Sequence, residues 1–264
     1  MMKNLLKKTI FYHVYIFLII RIRRWLRLHK GRITVVEGIP LSIARCSPYM
    51  RNVILDGWYE RPERQLCMKY ITASDTVVEL GSAIGFLALF CIKKIRVARY
   101  CMVEANPETI EILKENFVLN QLDPSILQYA VSANDGIAHL DISGEFWANS
   151  LVASPPSSQG TLLTVQTRTL ASVLQEIDFI PKVLIIDIEG SEQDIDPGSL
   201  PSDIEVIIIE THAFSIGIQK TQHLLARFDF CGFRAVDQMD NTYCLLRGKR
   251  LTDHTTGHSG PHAS

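Results

Sequence analysis

Four short stretches hold the residue types best suited to chemistry. Residues 77–86 read VVELGSAIGF, an apolar run that gives way to Gly81 and Gly85. Glycines at such a turn let backbone approach a ligand, and a helix that opens just beyond presents free amides to it. Glu104 ends a second apolar run, 19 positions beyond Gly85. A carboxylate at a strand tip can accept both hydroxyl hydrogens of a ribose, so this pairing points to an adenosine-containing ligand, NAD among the options. Asp187, Glu189 and Glu192 follow the run VLII abruptly, and Glu210 and His212 end another apolar run. Carboxylates and an imidazole in these places can orient a substrate or take a proton from it, histidine being the better matched near neutrality.

A frame must bring these stretches together. Residues 77–80, 97–103, 126–131, 183–186 and 206–209 read as buried strands, with little alternation of polar residues. Helices are expected over 63–71, after Gly85, from Pro107 onward, over 170–177 and over 216–228. Strands alternating with helices in this way converge their tips on one sheet edge. Residues 137–142 and 161–169 add strands, 144–159 reads as a loop carrying Phe146 and Trp147, and 233–236 with 243–246 reads as a hairpin around Asp240 and Asn241. Residues 32–55, broken by Gly38 and Pro40, read as short antiparallel strands or a cap. The domain expectation is a basic extension over 1–32, a catalytic domain over 33–250 and a flexible tail over 251–264, where His254, His258 and His262 lack a rigid framework.

The chain has 264 residues, 47% of them hydrophobic and 21% charged, enough apolar content for a sizeable core. Its net charge of -1 is unevenly spread: residues 1–36 carry nine Lys or Arg and no acid, which leaves 18 basic against 28 acidic residues, or -10, in the rest. An acidic body argues against a nucleic-acid surface. The basic stretch with Trp25, Leu26 and Leu28 suits an interfacial helix on anionic lipid, and its twelve-residue apolar segment 9–20 is short for a span. The expected location is the cytoplasmic face of a membrane, or otherwise the cytoplasm. Cys46, Cys67, Cys91, Cys101, Cys231 and Cys244 show no metal or redox spacing and read as small buried hydrophobes.

Taken in order, VVELGSAIGF at 77–86, VEANP at 103–107, IDIEGSE at 186–192 and IIIETH at 207–212 resemble the FkbM family of class I methyltransferases. The resemblance covers about residues 55–248. It implies an α/β fold, a class I methyltransferase-like Rossmann sheet with a C-terminal antiparallel hairpin. It also implies S-adenosylmethionine as cofactor and methyl transfer to an oxygen of a small-molecule, carbohydrate or lipid-linked acceptor. Glu79, Gly81, Gly85, Glu104, Ser132 and Asp187 would then bind the cofactor, and Asp187, Glu189 and His212 are the catalytic candidates. Departures from the family pattern are Glu79 and Ser82, where Asp- and Asn-containing turns are more usual, and Ile185, where Lys is common. A metal stays unassigned, with Asp187, Glu189 and Glu210 as the oxygen ligands it would use. A membrane adaptor that keeps the fold without catalysis is the alternative function.

Overall fold

Uninterrupted apolar runs become the central strands of one sheet in the computed structural model, which describes residues 33–142, 150–152 and 161–257. The basic extension 1–32, Phe146, Trp147, His258 and His262 lie outside the described residues. Among the described residues, no helix is long and apolar enough to cross a membrane.

The chain divides into two units, residues 1–59 and 60–264. In the first, Ile33–Val36 (β1) and Ile39–Ser42 (β2) pair antiparallel. Glu37 and Gly38 join them at φ 49° and 78°, the left-handed pair that a two-residue hairpin turn requires. Pro48–Leu55 then forms α1, with Pro48 in its first turn and the Ser47 hydroxyl accepting from Met50 N at 3.1 Å. The strands were expected; the helix was not, although its Ser-Pro start is a recognisable signal.

The second unit runs Arg61–Tyr70 (α2), Thr76–Leu80 (β3), Phe86–Phe90 (α3), Arg99–Val103 (β4), Pro107–Leu119 (α4), Ile126–Leu127 (β5), Ala130–Val131 (β6), Gly136–Asp141 (β7), Ser150–Val152 (β8) and Leu162–Arg168 (β9). It continues through Leu170–Glu176 (α5), Val183–Ile186 (β10), Val206–Glu210 (β11), Ala213–Ile216 (α6), Ile218–Phe230 (α7), Arg234–Met239 (β12), Thr242–Leu246 (β13) and Gly248–Gly257 (α8).

Seven strands form the main sheet in the order β12-β13-β11-β10-β3-β4-β5. The last five are mutually parallel, while β13 and β12 close the other edge antiparallel. The expected α/β sheet and C-terminal hairpin are therefore present. A Rossmann order holds only from β5 to β11, because β13 inserts antiparallel between β11 and β12. Alternation along the strands sends Val78, Leu80, Leu184, Ile186, Ile207 and Ile209 into one core with Val173 of α5 and Leu224 and Phe228 of α7.

The run 126–131, expected as one strand, is split. Leu127 pairs with Val103 in the main sheet, whereas Ala130 pairs with Thr167 in a second sheet of order β6-β9-β7-β8. The chain changes partner because β9, fixed by its long antiparallel register with β7, offers its free edge there. Residues 251–257, part of the expected tail, are helical, within α8. Arg250 ties that helix to the buried Asp75, a long-range ion pair that periodicity does not reveal.

Register is what matters for the site. Ile186 is level with Leu80, Leu80 with Val103, and Ile209 with Ile186. The next residues on these strands, Gly81, Glu104, Asp187 and Glu210, therefore stand in one row at the C-terminal edge of the sheet.

Candidate functional site

The turn after β3 is built around one carboxylate. Gly81 N and Ser82 N donate to the Val103 carbonyl at 2.9 and 3.2 Å, which holds the turn against β4. Ala83 N then donates to Glu104 Oε2 at 2.9 Å, and Asn106 N to Oε1 at 2.9 Å. Ala83 reaches this bond in a left-handed conformation, φ 41°. Burial pushes the Glu104 carboxyl up to about 7, outweighing the lowering by its backbone donors.

The two glycines of the turn have different tasks. Gly81 has φ 82°, and a Cβ there would overlap the carbonyl oxygen of Asp187. Only glycine lets the ends of β3 and β10 approach this closely. A Cβ on Gly85 would stand 2.8 Å from Leu113 and 3.1 Å from Phe117 of α4. Gly85 thus serves helix packing, and it does not line the cavity described next.

Gly81, Glu104, Asp187 and Glu189 face a cavity of about 590 Å³, measured out to solvent, with Tyr129, Val131, Leu140, Leu151 and Ile188 among its apolar walls. Its few polar groups among apolar ones suit a small-molecule site. Leu140 and Leu151 come from the second sheet, so that sheet supplies a wall which the sequence reading did not assign. Glu79 and Ser132 are not part of the lining. Glu79 is buried within the sheet, pushed up to about 8 by desolvation; the Ser82 and Tyr100 hydroxyls act to lower it, yet Oε2 has no hydrogen bond of ordinary geometry among the described residues. Ser132 continues β6 through its backbone, N donating to the Arg168 carbonyl at 3.0 Å.

The opposite side of the cavity is crowded with acid. Asp187 and Glu189 line it, and His212 sits behind them with its ring held at both nitrogens. Nδ1 lies 2.7 Å from Glu192 Oε1, and Nε2 lies 3.2 Å from Glu189 Oε2 and 3.5 Å from Asp187 Oδ1. Desolvation acts to lower the imidazole, but Glu189, Glu192 and Asp187 outweigh it and push it up to about 11. The ring is thereby a partner for the carboxylates on both of its sides. Asp187 is pushed well up by burial and then by the adjacent Glu210, which burial itself raises to about 7. Glu192, inside the acidic motif but not among the expected site residues, is fully buried against His212. Its motif was visible; its side-chain direction depends on the short helical turn Ser191–Asp194.

A family model described as the methyltransferase FkbM domain matches residues 79–235. The chain belongs to the FkbM methyltransferase family. The matched region takes in Gly81, Glu104, the acidic motif, Glu210 and His212, so both halves of the cavity edge lie within the family domain. Among solved structures, the chain is similar to a methyltransferase FkbM from Methylobacillus flagellatus, with 15% identity and a TM-score of 0.48, over 74% of this chain and 52% of that one. It is also similar to a ribosomal protein L11 methylase from Lactobacillus delbrueckii subsp. bulgaricus, with 13% identity and a TM-score of 0.42, over 70% and 75% of the two chains. A fibrillarin pre-rRNA processing protein from Methanococcus jannaschii gives 12% identity and a TM-score of 0.44, over 83% and 84%. The match to the Methylobacillus protein spans about half of that protein's length. No curated protein sequence matches the chain.

Proposed function

We propose that this chain transfers a methyl group from S-adenosylmethionine to an oxygen of a small-molecule, carbohydrate or lipid-linked acceptor. The observation that carries the reading is the convergence of Gly81, Glu104 and Asp187 on one cavity inside an FkbM family domain. The residues fit the cofactor. At Gly81 the backbone has no side chain in the way, and Glu104 has lone pairs beyond the two its backbone donors use, enough to accept from ribose hydroxyls. Tyr129, Val131 and Leu140 give the apolar surface an adenine ring needs.

The bound cofactor supplies an electrophilic methyl group. The protein must place an acceptor oxygen in line with it, keep water out and receive the hydroxyl proton. Besides Glu104, the carboxylates that line the cavity are Asp187 and Glu189, and on this reading one of them takes that proton. Burial strengthens Asp187 as a base. His212 balances their charge and fixes their direction.

Calorimetry of the full chain with S-adenosylmethionine and S-adenosylhomocysteine, with NAD as control, tests the cofactor. One saturable site for an adenosyl ligand and none for NAD is the expected outcome, followed by transfer of labelled methyl to an acceptor panel rich in hydroxyls. Selective NAD binding would overturn the proposal.

A further inference from the structure

We propose that Asp187, Glu210 and His212 bind one divalent first-row transition-metal ion, using Nε2 of the imidazole and one oxygen of each carboxylate. Strand register builds the site. Ile186 and Ile209 are paired on neighbouring parallel strands, so Asp187 and Glu210 emerge side by side, and His212 follows two residues later. One ligand atom from each of the three lies within 4.8 Å of the others. Ligands held about 2.0–2.2 Å from an ion stand roughly 3–4.3 Å apart, so a small inward movement brings all three into ligating range and leaves at least one position open.

Two further observations point to a cation. The first is Glu192, whose side chain is 0% exposed and whose Oε1 lies 2.7 Å from His212 Nδ1. A metal-ligating histidine characteristically donates its other ring N–H to a carboxylate, which fixes the tautomer and aims the free nitrogen at the metal. Here that arrangement turns Nε2 toward Asp187 and Glu189. The second is unmet hydrogen-bonding capacity. Asp187 Oδ1 and Glu192 Oε2 are buried atoms without a hydrogen-bond partner among the described residues, and the 3.5 Å approach of Oδ1 to His212 Nε2 is a charge contact only. Asp187, Glu189 and Glu192 contact a single imidazole and Glu210 lies within 4.8 Å, more oxygen donors than one ring can serve.

The donor set narrows the ion. One imidazole nitrogen with two carboxylate oxygens suits Mn²⁺, Co²⁺, Fe²⁺ or Zn²⁺ better than the all-oxygen shells of Ca²⁺ and Mg²⁺. The ion takes the lone pair of Nε2, which must be free of a proton to bind it. The ion's use rests on the methyl-transfer reading: Asp187 borders the cavity, so the metal could hold an acceptor hydroxyl and make it more acidic, with Glu189 left to receive the proton. Binding itself does not depend on that reading.

The test is a titration of the metal-free full chain with Mn²⁺ alone, and separately with Co²⁺, by calorimetry. Expected are one ion per chain and a Co²⁺ absorption spectrum of mixed nitrogen and oxygen ligation. Glu192→Gln should weaken Mn²⁺ binding about 10–100-fold, through loss of the imidazole's support, and His212→Gln should abolish it. Absence of saturable Mn²⁺ or Co²⁺ binding by the unaltered chain would overturn the site even if neither variant folds. Equal affinity in a folded His212→Gln protein would overturn it too. A failed methyl-transfer reading would show separately, in the adenosyl-ligand calorimetry.

Discussion

The two sides of the cavity treat buried carboxylates in opposite ways. At the tips of β3 and β4, Glu104 receives a backbone N–H on each oxygen, and the turn that supplies one of them is held by the same strand. At the tips of β10 and β11, three carboxylates share one imidazole, and oxygens of Asp187 and Glu192 are left over. The first side is satisfied by local backbone and needs only shape from a ligand. The second leaves buried carboxylate oxygens without a hydrogen-bond partner among the described residues, so it gains from a ligand that contacts them.

Gly81→Ala should have the largest effect, because Gly81 is where the two sides touch. The added methyl group would overlap the Asp187 carbonyl from a backbone at φ 82°, forcing the ends of β3 and β10 apart. A stability loss of about 4 kcal/mol is expected, read as a lower urea midpoint. An unchanged midpoint would mean that the two sides can separate freely.

Glu104→Ala tests the satisfied side. It removes the acceptor for the ribose and strands the Ala83 and Asn106 N–H groups. The dissociation constant for S-adenosylmethionine should rise about 10–100-fold, the equivalent of roughly 1.5–3 kcal/mol for hydrogen bonds to a charged group. Unchanged calorimetric affinity would remove Glu104 from the ribose contact.

The smallest effect should come from Glu79, the carboxyl beneath that side which backbone does not satisfy. Its folded value of about 8 lies above the ordinary 4.5, so the folded chain keeps a proton that the unfolded chain releases. Stability from this group is complete below about 4.5 and is lost as pH rises toward 8. Glu79→Gln removes that titration. The variant should gain about 1–2 kcal/mol over the unaltered chain between roughly pH 5 and pH 8 in urea denaturation. Parallel stability profiles for the two proteins would refute the buried, protonated carboxyl.

Much of this architecture was legible because its signals are local. The runs at 77–80, 183–186 and 206–209 lack polar alternation and become strands buried on both faces. Asp240 and Asn241 sit between the hairpin strands as expected, with Asp240 at φ 51°. The site residues Gly81, Glu104, Asp187 and Glu189 all reach the cavity. Others of the expected set do not. Gly85 packs against α4, Glu79 is enclosed within the sheet, and Ser132 follows a short strand of the second sheet.

The sequence by itself determined which residues could do chemistry and which runs would be buried strands, because both follow from side-chain type and from periodicity over a few residues. It also determined the family, through four motifs in a fixed order. Only the tertiary structure decided which groups meet. The split of residues 126–131 between two sheets, the approach of Gly81 to Asp187 and the clamping of His212 by Glu189 and Glu192 depend on register between strands far apart in sequence. The same register surrounds His212 with carboxylates that raise its pKa, a shift its residue type alone does not reveal.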